Sequence, residues 1–165
     1  MAPRRAPGDD FRAALRELAG GVSIVTTRLG ARRTGCVVSS LTSYSLEPPT
    51  LLLTLARNNS TSDLLLESGG LGVSLISARL RETAHAFARA PSGEARFAHG
   101  SWRETTPGGQ WVIEGALAAF ECRVEETIAR HTHLIVLARV LTVETKAGDD
   151  ADPLLYWRRD YRRLS

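Results

Sequence analysis

Two clusters of small polar side chains flank one apolar run in the first half of this chain. Ser39-Ser40-Leu41-Thr42-Ser43-Tyr44-Ser45 carries five aliphatic hydroxyls and leads through Glu47-Pro48-Pro49 into Thr50 to Ala56. Asn58-Asn59-Ser60-Thr61-Ser62-Asp63 follows at once. Hydroxyls and backbone N–H groups on both sides of a strand suit a planar, anionic ligand, because they donate hydrogen bonds without adding charge. A helix opening near Ser60-Thr61 adds unpaired N–H groups and the positive end of its dipole, where anions bind. The segment is read as a cradle for a flavin and its phosphate.

A plainer reading competes at each cluster. Ser and Thr ahead of prolines are common turn formers that satisfy local backbone groups. Asp63 in the first helical turn places a carboxylate on the same dipole. Neither cluster is a Gly-rich dinucleotide fingerprint, since Gly69-Gly70-Leu71-Gly72 precedes a strand pattern rather than a helix. No G-x-S-x-G elbow occurs, and His85, His99 and His133 lack metal-ligand spacing, so no metal is expected.

Composition narrows the class. The 165 residues fit one domain with a sizeable core, and 43% hydrophobic and 24% charged residues are ordinary for a globular protein. Of 21 basic residues only Lys146 is lysine, and the arginines are scattered among 18 acids for a net charge of +3. The pairs Arg4-Arg5, Arg32-Arg33, Arg158-Arg159 and Arg162-Arg163 lie near ends and turns, which argues against a nucleic-acid footprint. Cys36 and Cys122 sit in apolar runs and read as small buried hydrophobes in a reducing compartment. No apolar run approaches the ~20 residues of a membrane span, and no secretory h-region opens the chain. The expectation is a cytoplasmic protein that binds neither membrane nor nucleic acid.

The elements that must position the clusters follow from periodicity. Residues 1–8 are expected to be a disordered tail, and residues 9–165 a single domain. Asp9 or Asp10 caps a helix through Leu18, with Phe11, Leu15 and Leu18 at helical spacing. Val22–Thr27 and Thr34–Val38 read as a hairpin, Leu51–Leu55 as a central strand, and Leu71–Ile76 as another strand. Ser60-Thr61-Ser62-Asp63 has capping-box spacing, which starts a helix over about Thr61–Glu67. A second helix covers Leu80–Ala90, with Leu80, Ala84, Phe87 and Ala88 inward, and Pro91–Gly109 is a loop. Trp111–Ile113, Ala116–Ile128 and His133–Thr145 alternate as strands, with an offset that suggests a bulge near Glu121. Pro153–Trp157 is a terminal strand before a basic tail. Strands that outnumber helices without βαβ alternation predict a mainly β fold with short helices, an antiparallel split β-barrel, with a β-sandwich as the alternative.

In this order the segments resemble the short-chain flavin reductases, the reductase partners of two-component flavin-dependent monooxygenases. The resemblance runs from about Phe11 to Leu164. It is carried by Gly20-Gly21-Val22-Ser23-Ile24-Val25-Thr26-Thr27, the Ser39–Pro49 run, Asn59–Asp63, Gly115–Cys122, His131-Thr132 and Pro153-Leu154-Leu155-Tyr156. It implies an FMN-binding split barrel, usually a homodimer, that oxidises NADH or NADPH, reduces FMN or FAD and releases reduced flavin to a partner monooxygenase. By matching position, Ser39, Ser40, Thr42 and Ser43 would contact the ring and ribityl chain, and Ala56, Asn59, Ser60 and Thr61 the phosphate. Phe97 would lie near the cofactor, Tyr156 would wall the pocket, and His131 would stand beside the nicotinamide as the catalytic histidine.

One departure bears on cofactor choice. Relatives commonly have Gly-Asp before the histidine, whereas Ala129-Arg130 stand here. A guanidinium in place of a carboxylate favours a phosphorylated nicotinamide, or a different handling of it. Hydride transfer needs little acid–base help from the protein, so a site of hydroxyls, amides and one histidine suffices. Two rival readings on the same scaffold are an enzyme that keeps its flavin for another reaction and a non-catalytic flavin- or haem-binding module.

Overall fold

The structure is a computed structural model that describes residues 7–91, 93–146 and 152–164. In chain order the first half comprises α1 (Pro7–Leu15), β1 (Gly20–Gly21), β2 (Ser23–Leu29), β3 (Arg32–Val38), β4 (Thr42–Leu46), β5 (Pro49–Ala56), α2 (Ser60–Ser68) and β6 (Gly70–Leu75). The second half comprises α3 (Arg81–Arg89), β7 (Trp102–Glu104), β8 (Trp111–Ile113), β9 (Ala118–Arg130), β10 (His133–Thr145), β11 (Leu155–Trp157) and β12 (Asp160–Arg162). Tight 3-10 turns occur at Ala78–Leu80 and Gly93–Ala98.

A seven-stranded antiparallel sheet in the order β3-β2-β6-β9-β10-β5-β4 forms the body of the molecule. β1, β11 and β12 make a smaller sheet, and β7 pairs with β8. The expectation of an antiparallel, mainly β chain with short helices therefore holds. The apolar run Leu51–Leu55 is a strand, but β5 lies second from an edge rather than at the centre, because β4 covers its outer side. That covering strand is formed by the hydroxyl-rich segment, whose turn-forming residues carry no strand pattern. Its register is Thr42 opposite Leu52 and Ser43 opposite Leu51.

The core has two parts. Val25, Leu53, Leu55, Leu65, Leu71, Val73, Leu134 and Val136 fill one, and Ile24, Ile76, Phe87, Ile113 and Leu154 the other. Each such side chain removed from water contributes roughly 1.5–3 kcal/mol. α2 lies on β2 and β3 with Leu64 and Leu65 inward, and Gly69 ends it at φ 67, where a Cβ would be strained. α3 buries Ala84 and Phe87 as expected, while Ala88 faces solvent. The bulge falls opposite Glu121 but on the partner strand: Val140 pairs with Cys122 and Thr142 with Glu121, leaving Leu141 as the extra residue.

The N-terminal helix begins at Pro7, ahead of the two aspartates, which occupy its first turn, and it stops at Leu15 rather than Leu18. Its apolar residues Phe11 and Leu15, and Leu18 beyond it, are 63%, 48% and 71% exposed. Of the expected disordered tail, residues 1–6 lie outside the described residues, and Pro7-Gly8 belong to the helix. β12 also occupies part of the expected basic tail. Among the described residues, no helix is long and apolar enough to cross a membrane.

Candidate functional site

The two polar clusters meet at the C-terminal end of β5. On one side Ser40 Oγ donates to the Thr54 carbonyl at 2.9 Å and faces the Thr54 N–H at 3.4 Å. The Ser40 side chain thus continues the β4–β5 pairing past the last ladder residue, Thr42. Its hydroxyl is committed to the backbone and does not point freely outward. Ser39, Thr42 and Ser43 are exposed. Thr42 and Ser43 are successive strand residues and project to opposite faces, so a planar ligand meets the side chain of one and the backbone of the other.

Beyond Ala56 the chain turns into α2. Ser62 Oγ donates to the Ala56 carbonyl at 2.7 Å and pins the helix start to the strand end. The N-cap is Asn59, one residue ahead of the expected capping box: its Oδ1 accepts from the Thr61 N–H at 2.9 Å, and its carbonyl accepts from the N–H groups of Ser62 and Asp63. First-turn donors that the sequence left unpaired are therefore partly occupied by Asn59. Thr61 is fully buried, and its Oγ1 has no hydrogen-bond partner of good geometry; its neighbour is the Cys36 thiol, a weak donor. Ser60 is exposed, with its hydroxyl 3.4 Å from the buried Thr34 Oγ1, a long contact that leaves Ser60 able to serve a ligand.

The β9–β10 turn comes to the same place. His133 pairs with Ala56, the Arg57 N–H donates to the Thr132 carbonyl at 2.9 Å, and Arg57 Nη1 donates to the His131 carbonyl at 3.2 Å. His131 is exposed and takes φ 49, in the left-handed region that histidine tolerates better than most residues. Arg57, which sequence reading passed over, is the staple that brings this turn to the polar clusters.

Tyr156 reaches the site through β1. It pairs with Gly20, and a Cβ on Gly20 would sit 2.9 Å from the Ser39 carbonyl oxygen. Only a glycine lets the two segments approach this closely. Tyr156 is 40% exposed and packs edge-on to Tyr161 with ring centroids 5.6 Å apart.

Phe97 is buried rather than open to the site. Its ring packs edge-on to Phe87 and Trp102, and the Arg33 guanidinium lies 4.2 Å from its centroid. The neighbouring Arg96 donates to the Gly35 carbonyl, and its Nε is buried without a partner. Burial pushes the Cys36 thiol up, partly offset by the neighbouring polar groups of Thr61 and Asn59 and by the Arg96 charge. A positive charge therefore lies behind the N-terminus of α2, while Asp63 is exposed in its first turn.

The structure thus brings Ser39, Ser40, Ala56, Asn59, Ser60 and His131 around one end of β5, links Tyr156 to them across Gly20, and holds Phe97 in the core beside them. A model of the flavin reductase like domain matches residues 15–165. The chain belongs to that family. It is 36% identical over 155 residues to the FMN reductase (NADH) RutF of Agrobacterium fabrum, covering 94% of this chain and 87% of the relative. Among solved structures, it is similar to BorF, the flavin reductase component of a bacterial two-component tryptophan halogenase, at 30% identity and TM-score 0.85, covering 95% of this chain and 98% of BorF. It is also similar to the Streptomyces globisporus NADH:FAD oxidoreductase SgcE6 in complex with NAD and FAD fragments, at 25% identity and TM-score 0.87, covering 99% and 98%. A flavin reductase fold accounts for both the split antiparallel body and the neutral donor clusters at its edge.

Proposed function

We propose that this protein is an NADH- or NADPH-dependent flavin reductase that passes reduced FMN or FAD to a partner monooxygenase by diffusion. The reading is carried by the convergence of Ser39–Ser43, Ala56–Thr61 and His131 at one end of β5, stapled by Arg57. The residues fit a flavin on three counts. The exposed Ser60 hydroxyl has only a long 3.4 Å contact, the first turn of α2 is backed by Arg96, and Gly20 lets β1 close against Ser39 so that Tyr156 stands near the hydroxyl cluster.

A bound flavin would supply the electron-accepting chemistry, taking a hydride from the nicotinamide and one proton from solvent. The protein's part is placement. Ser39 and the β4 edge hold the ring system, the start of α2 and Ser60 hold the phosphate, and Tyr156 walls the far side. His131, exposed at the β9–β10 turn, orients the nicotinamide. Phe97 supports the seat from the core, behind Arg33 and Arg96. Neutral donors at the surface grip reduced flavin only moderately, which suits a product that must leave.

The exposed residues Phe11, Leu15 and Leu18 support a homodimer, since apolar groups clustered at one end seek a cover. Two free, buried cysteines accord with a reducing compartment, and we place the protein in the cytoplasm. Anaerobic mixing of the protein with each nicotinamide and each flavin, followed at the nicotinamide absorbance, tests the activity. Multiple turnovers with added flavin are expected. Yellow colour retained through gel filtration, without turnover, would overturn the proposal.

A further inference from the structure

Next to Ser60 opens a cleft of ≈ 450 Å³ between β3, α2 and the turn at Gly93-Glu94. Its charged walls are Arg32 and Arg33 from β3, Asp63 and Glu67 from α2, and Glu94. Both arginines are already spent. Arg32 Nη2 meets Glu67 at 2.5 Å, and Arg33 Nε faces both Glu94 oxygens at 2.8 and 3.1 Å. Arg33 is also held between two rings, 4.2 Å from Phe97 and 4.3 Å from Trp111, so it cannot swing towards a new anion without losing them. Asp63 has no cationic partner among the described residues. Three carboxylates against two guanidiniums leave the cleft one charge negative. Glu67 and Glu94 are held below the usual carboxylate range, chiefly by hydrogen bonds from Arg32 and Arg33, and stay ionised at neutral pH.

We propose that this acidic cleft selects FMN over FAD by excluding the second phosphate and adenosine of the dinucleotide. The inference rests on Ser60 marking the phosphate end of the flavin. FMN ends there, with its whole charge at the start of α2. FAD continues past Ser60 and sets its second phosphate among Asp63, Glu67 and Glu94, with no uncommitted cation to receive it.

Dissociation constants for FMN and FAD, read by flavin fluorescence quenching, test this in the wild type and in E67Q/E94Q, which removes two carboxylates away from the first turn of α2 and releases Arg32 and Arg33. The wild type should bind FMN about tenfold or more tightly than FAD. The double variant should narrow that ratio by about threefold or more through FAD, with FMN binding within about twofold, as expected for charges several ångströms apart near a surface. Raising salt on the wild type should narrow the ratio in the same direction, which keeps the test intact where the variant fails to fold. Equal wild-type affinities, or a ratio unmoved by both the substitutions and salt, overturn the proposal while FMN binding keeps the flavin reading. Failure of both flavins to bind sinks that reading and this inference with it.

Discussion

Ser40 and Thr54 share two contacts across fourteen residues of sequence, one given and one received through a single hydroxyl. The side chain acts as a surrogate rung, carrying the β4–β5 ladder to the point where a ligand would begin. Ser40→Ala should cost about 1 kcal/mol or less at this exposed edge. It should weaken flavin binding by more than that stability loss suggests, because Ser39 loses its support. Paired thermal melts and flavin titrations separate the two effects. Flavin affinity equal to wild type would show that the rung plays no part in the site.

Gly20 offers a sharper probe of the same segment. A methyl group there meets the Ser39 carbonyl at 2.9 Å, and that neighbour is backbone that must move. Gly20→Ala should leave the seven-stranded sheet intact, since β1 belongs to the smaller sheet. Flavin affinity should fall roughly tenfold, about 1.4 kcal/mol. Unchanged affinity would mean that Ser39 lies outside the ligand's reach.

The sequence made the interior strands legible because Val22–Thr27, Leu51–Leu55 and His133–Thr145 carry unbroken or alternating apolar residues. β4 was illegible for the converse reason. It is an exposed edge, with Leu46 88% and Tyr44 60% exposed, and hydroxyls give no hydrophobic alternation. The start of α2 was misplaced by one residue because Asn59 and Ser60 are both good caps, and only the fold chooses between them. Both site clusters could be read from composition. Their staple could not, since Arg57 works through the distant His131 and Thr132 carbonyls. The Tyr156–Gly20–Ser39 contact likewise depends on a pairing between the two ends of the chain.

His131 sits at φ 49 with its side chain exposed, so substitution changes the backbone and the ring together. His131→Asn keeps the backbone preference and removes the imidazole, whereas His131→Ala removes both. Both variants should raise KM for the nicotinamide by about three- to tenfold, the loss of roughly one contact in binding, with flavin affinity nearly intact. His131→Ala should also melt at a lower temperature than His131→Asn. A large loss of flavin binding in the Asn variant would remove His131 from the nicotinamide side of the site.

The thiols give a pH signature of the core. Burial, with a smaller push from Glu121, moves Cys122 from 9.0 up to about 12, and burial also raises Cys36. Each folded thiol therefore holds its proton where the unfolded thiol would lose it. The stability this represents is fully present below pH 9.0 and drains away as pH climbs towards about 12. The slope should reach about 1.4 kcal/mol per pH unit for each thiol that ionises only on unfolding. Native protein at pH 8 should resist a thiol-specific chromophoric reagent, and denaturant should release both groups at once. Rapid labelling of either cysteine in the folded protein would place that thiol outside the core and remove this term from the pH profile.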